Sequence, residues 1–208
     1  MAELKPGSRL PLLFFGMLSL LGGVMAGLAR LGWEVPGPAM QAAGVHGPLM
    51  IAAFFGTVIS LERAVAAGRN WAYLAPLAAG ASGIALLAGT PLLIGQILGC
   101  LAALGLIAAS AVALRRQVAV FTIILTLAAA CWLVGNLLWL ATGDISVAVS
   151  WWLLFLVLTI AGERLELTRF LPTPPLAQKL FIGIVGVLLL SAIAAVDRLF
   201  AGGLIALA

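Results

Sequence analysis

One histidine, His46, stands in the segment Val45-His46-Gly47-Pro48-Leu49-Met50, at the start of an apolar run that reaches Leu61 and ends on Glu62-Arg63. A neutral imidazole can give a ring nitrogen to haem iron or copper, and Met50, four residues on, falls on the same helical face. That face also carries Ala53 and Thr57, small enough to leave room for a flat ligand or a closely packed helix. The second group with chemical capacity is a charged layer of Glu62, Arg63, Glu163, Arg164, Glu166 and Arg169. Sixteen residues separate His46 from Glu62, about 24 Å along a helix, so the two groups belong to opposite ends of one span.

The elements that must position these residues follow from composition. The chain of 208 residues is 64% hydrophobic and 9% charged, with a mean hydropathy of +1.23. That leaves too little polar surface to cover a water-soluble globule and points to an all-α, polytopic transmembrane helical bundle. Seven runs have the length of a span, at 10–30, 45–66, 72–89, 91–114, 118–142, 146–168 and 177–196. Unbroken apolar runs without alternation exclude a barrel, and lipid leaves helices as the remaining way to satisfy the backbone. The first run is too long for the core of a cleavable signal and is expected to stay as a span. Cys100 and Cys131 lie inside apolar runs and read as buried small hydrophobes.

The net charge of +4 is a matter of topology here and calls for no nucleic-acid partner. Lys5, Arg9, Arg63, Arg69, Arg115, Arg116, Arg164, Arg169 and Lys179 fall at one set of span ends, and Arg30 and Arg198 at the other. Such a bias predicts a cytoplasmic N-terminus in a bacterial inner membrane, with His46 towards the outer face. Trp33, Trp139, Trp151 and Trp152 are expected at the outer interface, and Trp71 and Tyr73 at the inner one.

Ile59-Ser60-Leu61-Glu62-Arg63 closes the second span and Ile160-Ala161-Gly162-Glu163-Arg164 the sixth, an offset of 101 residues from 62 to 163. This spacing suggests two parallel four-helix repeats, over about 9–116 and 117–208, with an eighth helix beginning after Asp197-Arg198 and cut short within Leu199 to Ala208. About a pseudo-twofold axis, Glu62 would pair with Arg164 and Glu163 with Arg63. Those pairs would lock the halves together or gate an ion path. The same offset maps His46 onto Val147 and Met50 onto Trp151. With one histidine, a bis-histidine haem within one chain and a three-histidine copper site are both excluded. A haem with histidine on one side and methionine, water or an open position on the other remains, or a homodimer supplying a second His46.

Leu13 to Ala29, a loop rich in proline and glycine, and then His46-Gly47-Pro48-Leu49-Met50 leading into Phe54-Phe55-Gly56 resemble the opening of the NnrS family of haem- and copper-containing bacterial membrane proteins linked to nitrogen-oxide stress. The His-Gly-x-x-Met element is also similar to the second helix of subunit I of haem-copper oxidases. The resemblance implies that His46 is an axial haem ligand with Met50 as a second or flanking ligand, serving electron transfer or nitrogen-oxide response with an unidentified redox partner. The further histidines of those families have no counterparts here, so their binuclear centre does not carry over. Two other readings compete: a small-solute transporter or channel lined by polar groups such as Gln96 and Asn136, with Thr122, Thr126 and Thr159 nearby, and a structural membrane subunit without cofactor.

Overall fold

Long apolar segments punctuated by glycine and proline leave the backbone one economical solution, and a computed structural model of the chain adopts it. The structure describes residues 6–171 and 174–206, with the side chains of Pro6 and of 197–206 left out. Helices α1 (Leu10–Arg30), α2 (Gly37–Ala67), α3 (Leu74–Leu87), α4 (Leu92–Arg116), α5 (Val120–Thr142), α6 (Ile145–Leu167) and α7 (Pro175–Ala206) follow in order. A 3-10 turn leads into α1 at Pro6–Arg9 and another into α3 at Asn70–Tyr73. Each of the seven, α3 being taken together with its 3-10 turn from Asn70, is long and apolar enough to cross a membrane, and large apolar side chains such as Phe14, Leu101, Leu153 and Leu190 face outward. The chain is a multi-pass membrane protein.

Tight stops shape the connections. Gly68 and Gly143 close α2 and α5 in the left-handed region, at φ 64° and 70°, where a side chain would be strained. Asp144 starts α6 by accepting the Ser146 backbone N–H at 2.8 Å and the Ser146 hydroxyl at 2.6 Å. Those two donors hold its carboxyl below the usual aspartate range.

Six of the seven expected spans agree with the apolar spanning segments of these helices to within three residues at either end, α7 running on past its segment to Ala206. The second begins at Gly37 rather than 45 and is not uniform. It runs through a 3-10 turn at Ala42–Val45, an α turn at His46–Pro48, a wide π turn at Leu49–Phe55 and regular α-helix from Gly56 to Ala67. At the exit of the wide turn, Thr57 Oγ1 donates to Ala53 O at 2.6 Å and Ser60 Oγ to Gly56 O at 2.5 Å.

The core is aromatic and lies between α4, α5 and α6. Trp132 stacks on Phe155 at 5.1 Å, and Trp139 meets Trp152 edge-on at 5.6 Å. Trp139 and Trp152 are fully buried, which corrects their expected place in an interfacial belt; their rings turn into the α5/α6 contact rather than out to lipid. Tyr73 is also buried, whereas Trp33 is exposed. Past residue 196 the chain prolongs α7 to Ala206 instead of opening an eighth span, because no turn interrupts the helix there. The expectations placed on Lys5 and on the side chains of Asp197 and Arg198 lie outside the described residues.

Candidate functional site

At one end of the bundle, α2 crosses α1 on a stripe of small residues. Gly16, Ser19, Gly23 and Ala26 are buried on α1, and small residues let helix backbones approach closely in lipid. A methyl group built on Gly23 would lie 2.8 Å from Met50 Sδ, and one on Gly27 would lie 2.8 Å from His46 Cε1 and 2.9 Å from Nδ1. Thr57 abuts Gly16, while Ala53 is turned to Gly83 of α3. The wide turn thus moves Ala53 off the line shared by His46, Met50 and Thr57. The open face foreseen for a ligand is occupied by α1.

His46 is half-buried and its Nδ1 lies 2.7 Å from Gly23 O. A carbonyl can only accept, so Nδ1 carries the proton and donates, which leaves Nε2 with the lone pair. Nε2 is the nitrogen farther from Gly27, at 3.5 Å from its built methyl. It is not among the sealed, unpartnered polar atoms of the described residues. Met50 turns its sulfur onto Gly23. Among the described residues no cluster of three or more His, Cys, Asp or Glu side chains is arranged to hold a metal ion.

In the middle of the bundle the polar groups are consumed by packing. Gln96 Nε2 donates to Trp139 O at 2.8 Å, and Asn136 Nδ2 donates to Gly99 O at 2.8 Å. Trp152 Nε1 donates to Asn136 Oδ1 at 2.9 Å. Ser82 Oγ donates to Gly95 O at 2.8 Å. These bonds clamp α3, α4, α5 and α6 together and leave neither Gln96 nor Asn136 free to line a solute path. Cys100 and Cys131 are buried free thiols.

The opposite end is the basic one. Arg63, with only 11% of its side chain exposed, meets Glu62 at 3.2 Å, Glu163 at 3.5 Å and Glu166 at 3.4 Å. The expected Arg63–Glu163 pair is present, but its counterpart is not: among the described residues Arg164 has no ion pair with Glu62. Arg164 is exposed, one helical step of about 100° round from Glu163. Glu166, one turn beyond Glu163, meets Arg63 as well. Arg169 lies over the Phe170 ring at 4.7 Å. Three clefts surround this cluster, of about 400 Å³ beside Glu62 and Glu163, 200 Å³ beside Ser110 and Arg116, and 330 Å³ between Phe121 and Phe181. In the sequence Arg116 counts only towards the basic-residue bias, and Ser110 carries no notice; the signal available was the Arg115-Arg116 end of α4, with Ser110 and Ala113 on one face above it.

None of the curated proteins or solved structures compared matches this chain. A family model described as a domain of unknown function, DUF8744, matches residues 9–208, and the chain belongs to that family.

Proposed function

We propose that this protein is a haem-binding protein of the bacterial inner membrane, with a redox or nitrogen-oxide-response role, and that His46 supplies the axial nitrogen. The observation that carries the reading is the 2.7 Å contact from His46 Nδ1 to Gly23 O. A histidine that ligates a metal characteristically donates its other ring N–H to a carbonyl or carboxylate, which fixes the tautomer and the ring orientation. Here the main chain of α1 does this, which leaves the lone pair on Nε2. The donor chemistry therefore fits one axial bond.

Met50 takes a flanking place in this reading, because its sulfur packs on Gly23. A second donor would come from water, from an incoming diatomic or from His46 of a second copy. Haem iron held there would supply one-electron transfer or the binding of nitrogen oxides. The resemblance of His46-Gly47-Pro48-Leu49-Met50 to the NnrS opening points the same way, as does the basic-residue bias that puts the N-terminus in the cytoplasm and His46 near the outer face. The Arg63–Glu163 contact at 3.5 Å supports two parallel repeats meeting at the cytoplasmic end.

The test is the optical spectrum of the purified, full-length protein, reduced with dithionite after reconstitution with haem. A Soret band present in the wild type and lost in His46→Ala is expected. Absence of the band, or a band indifferent to His46→Ala, sinks the reading and leaves a cofactor-free membrane subunit.

A further inference from the structure

The sequence of α3 returns in α7. Leu77, Gly80, Gly83, Leu86 and Leu87 stand 103 residues before Leu180, Gly183, Gly186, Leu189 and Leu190, so each helix carries two glycines three residues apart on one face. In α3 that face is filled. A methyl group built on Gly80 would lie 2.7 Å from Phe15 Cβ, and one on Gly83 would run into Ser19 Oγ and lie 2.8 Å from Ala53 Cβ. Gly22 of α1 answers from the other side by admitting Leu87. Both α1 and α3 run outward from the basic end, so the glycine pair of α3 is the seat of a parallel helix.

In α7 the same pair is uncovered. Nothing lies within 4 Å of a methyl group built on Gly183 or Gly186. The helix packs on α6 through Val185 and Ala192, which at about 100° per residue lie on the side away from the two glycines. Only 11% of its spanning segment is buried, against 28% to 50% in the other six. Ile182, Val187, Leu190 and Ile193 flank the pair and are exposed. A glycine inside a helix costs about 1 kcal/mol relative to alanine, and in lipid the close approach of a second backbone offsets that cost through van der Waals packing.

Orientation decides which backbone. Insertion gives every copy of the chain the same direction through the membrane, so a twofold axis along the membrane normal sets α7 parallel to α7 of a second copy and at equal depth. Gly183 and Gly186 then meet their own counterparts, in the same parallel sense as α1 on α3. No charged residue interrupts the segment from Ile182 to Ile193. Lys179, one turn below Gly183, stands at the basic boundary, where its ammonium reaches water.

We propose that α7 is the interface of a homodimer, with Gly183 and Gly186 of each copy seated against those of the other. The interface stands whether or not His46 holds haem.

Disulfide cross-linking of the full-length protein in its membrane tests it. Cys100 and Cys131 are buried, so the wild type gives the background without cross-links. Leu190→Cys, one turn outward from Gly186 on the glycine face, is expected to yield a cross-linked dimer under mild oxidation. Ile184→Cys, on a different face and of similar exposure at 59% against 68% for Leu190, is expected to yield none. Adding Gly183→Leu or Gly186→Leu to Leu190→Cys should abolish the cross-link. Both leucines enter open space, so each copy keeps its fold, and either variant remains readable without the other. A cross-link that is absent at Leu190, equal at Leu190 and Ile184 as for random collision, or indifferent to both leucine substitutions overturns the proposal.

Discussion

Trp152 Nε1 lies 2.9 Å from Asn136 Oδ1, and through that bond a side chain of α6 reads the register of α5. Asn136 is fully buried and passes the connection on to α4 through Gly99 O. Asn136→Leu should therefore destabilise the protein by about 1–2 kcal/mol, measured by unfolding in denaturing detergent. In a double-mutant cycle with Trp152→Phe, which removes the donor, the losses should fall short of additivity. Fully additive losses would show that the bond does not couple the helices.

The α1/α2 crossing should resist methyl groups in proportion to the stiffness of what they meet. Gly27→Ala drives into the His46 ring, which is anchored to Gly23 O, and should cost about 1–3 kcal/mol. Gly23→Ala meets the flexible end of Met50 and should cost less. Gly186→Ala on α7, where nothing lies within 4 Å, should be neutral or slightly stabilising through helix propensity. Equal losses at all three positions would contradict the packing described.

Arg63 holds three carboxylates with 11% of its side chain exposed. Arg63→Gln leaves Glu62, Glu163 and Glu166 facing one another, and should cost about 3 kcal/mol, the lower range for a broken buried pair because Glu62 is half in solvent. Glu62→Gln should cost under about 1 kcal/mol. Stability measured at low and high salt should show that the Arg63→Gln loss shrinks as salt screens the repelling carboxylates.

Asp144 offers a pH dependence with a definite sign. Its carboxyl is held below the usual aspartate range by the Ser146 hydroxyl and backbone N–H. A lowered folded-state value contributes stability above the ordinary aspartate range, lost as pH falls through the lowered one. Asp144→Ala should cost about 1 kcal/mol near neutral pH through the lost helix cap. The charged part of that difference should shrink as pH falls below the ordinary aspartate range and disappear below the lowered value, read as converging melting temperatures of wild type and variant. A gap that widened in acid would have the wrong sign.

The spans were legible in the sequence because run length and apolarity are one-dimensional properties, and lipid removes every alternative to the helix. The Arg63–Glu163 pair is legible through the 101-residue echo, but Glu62 turns to its own neighbour Arg63 instead of to Arg164. Closeness to the end of a span makes Trp139 and Trp152 resemble interfacial residues; what turns them inward is their contact with each other and the bond from Trp152 to Asn136, which exist only in three dimensions. The α1 stripe of Gly16, Ser19, Gly23 and Ala26 has a helical period that the sequence displays, but its partner helix, like the lining of the Ser110–Arg116 cavity, is set by contacts between distant segments. His46 was found at once as the lone imidazole, yet its bond to Gly23 joins residues 23 positions apart.

The wide turn over Leu49–Phe55 has a consequence for how one helix serves two ends. A π turn accommodates one extra residue, and one residue is worth about 100° of rotation about the axis. Yet Thr57, beyond the turn, still meets Gly16 of α1, so what is re-aimed lies inside the turn. Ala53 is handed to Gly83 of α3, while His46 on one side of the turn and Thr57 on the other both keep hold of α1: one short segment lets a single helix grip two neighbours in turn.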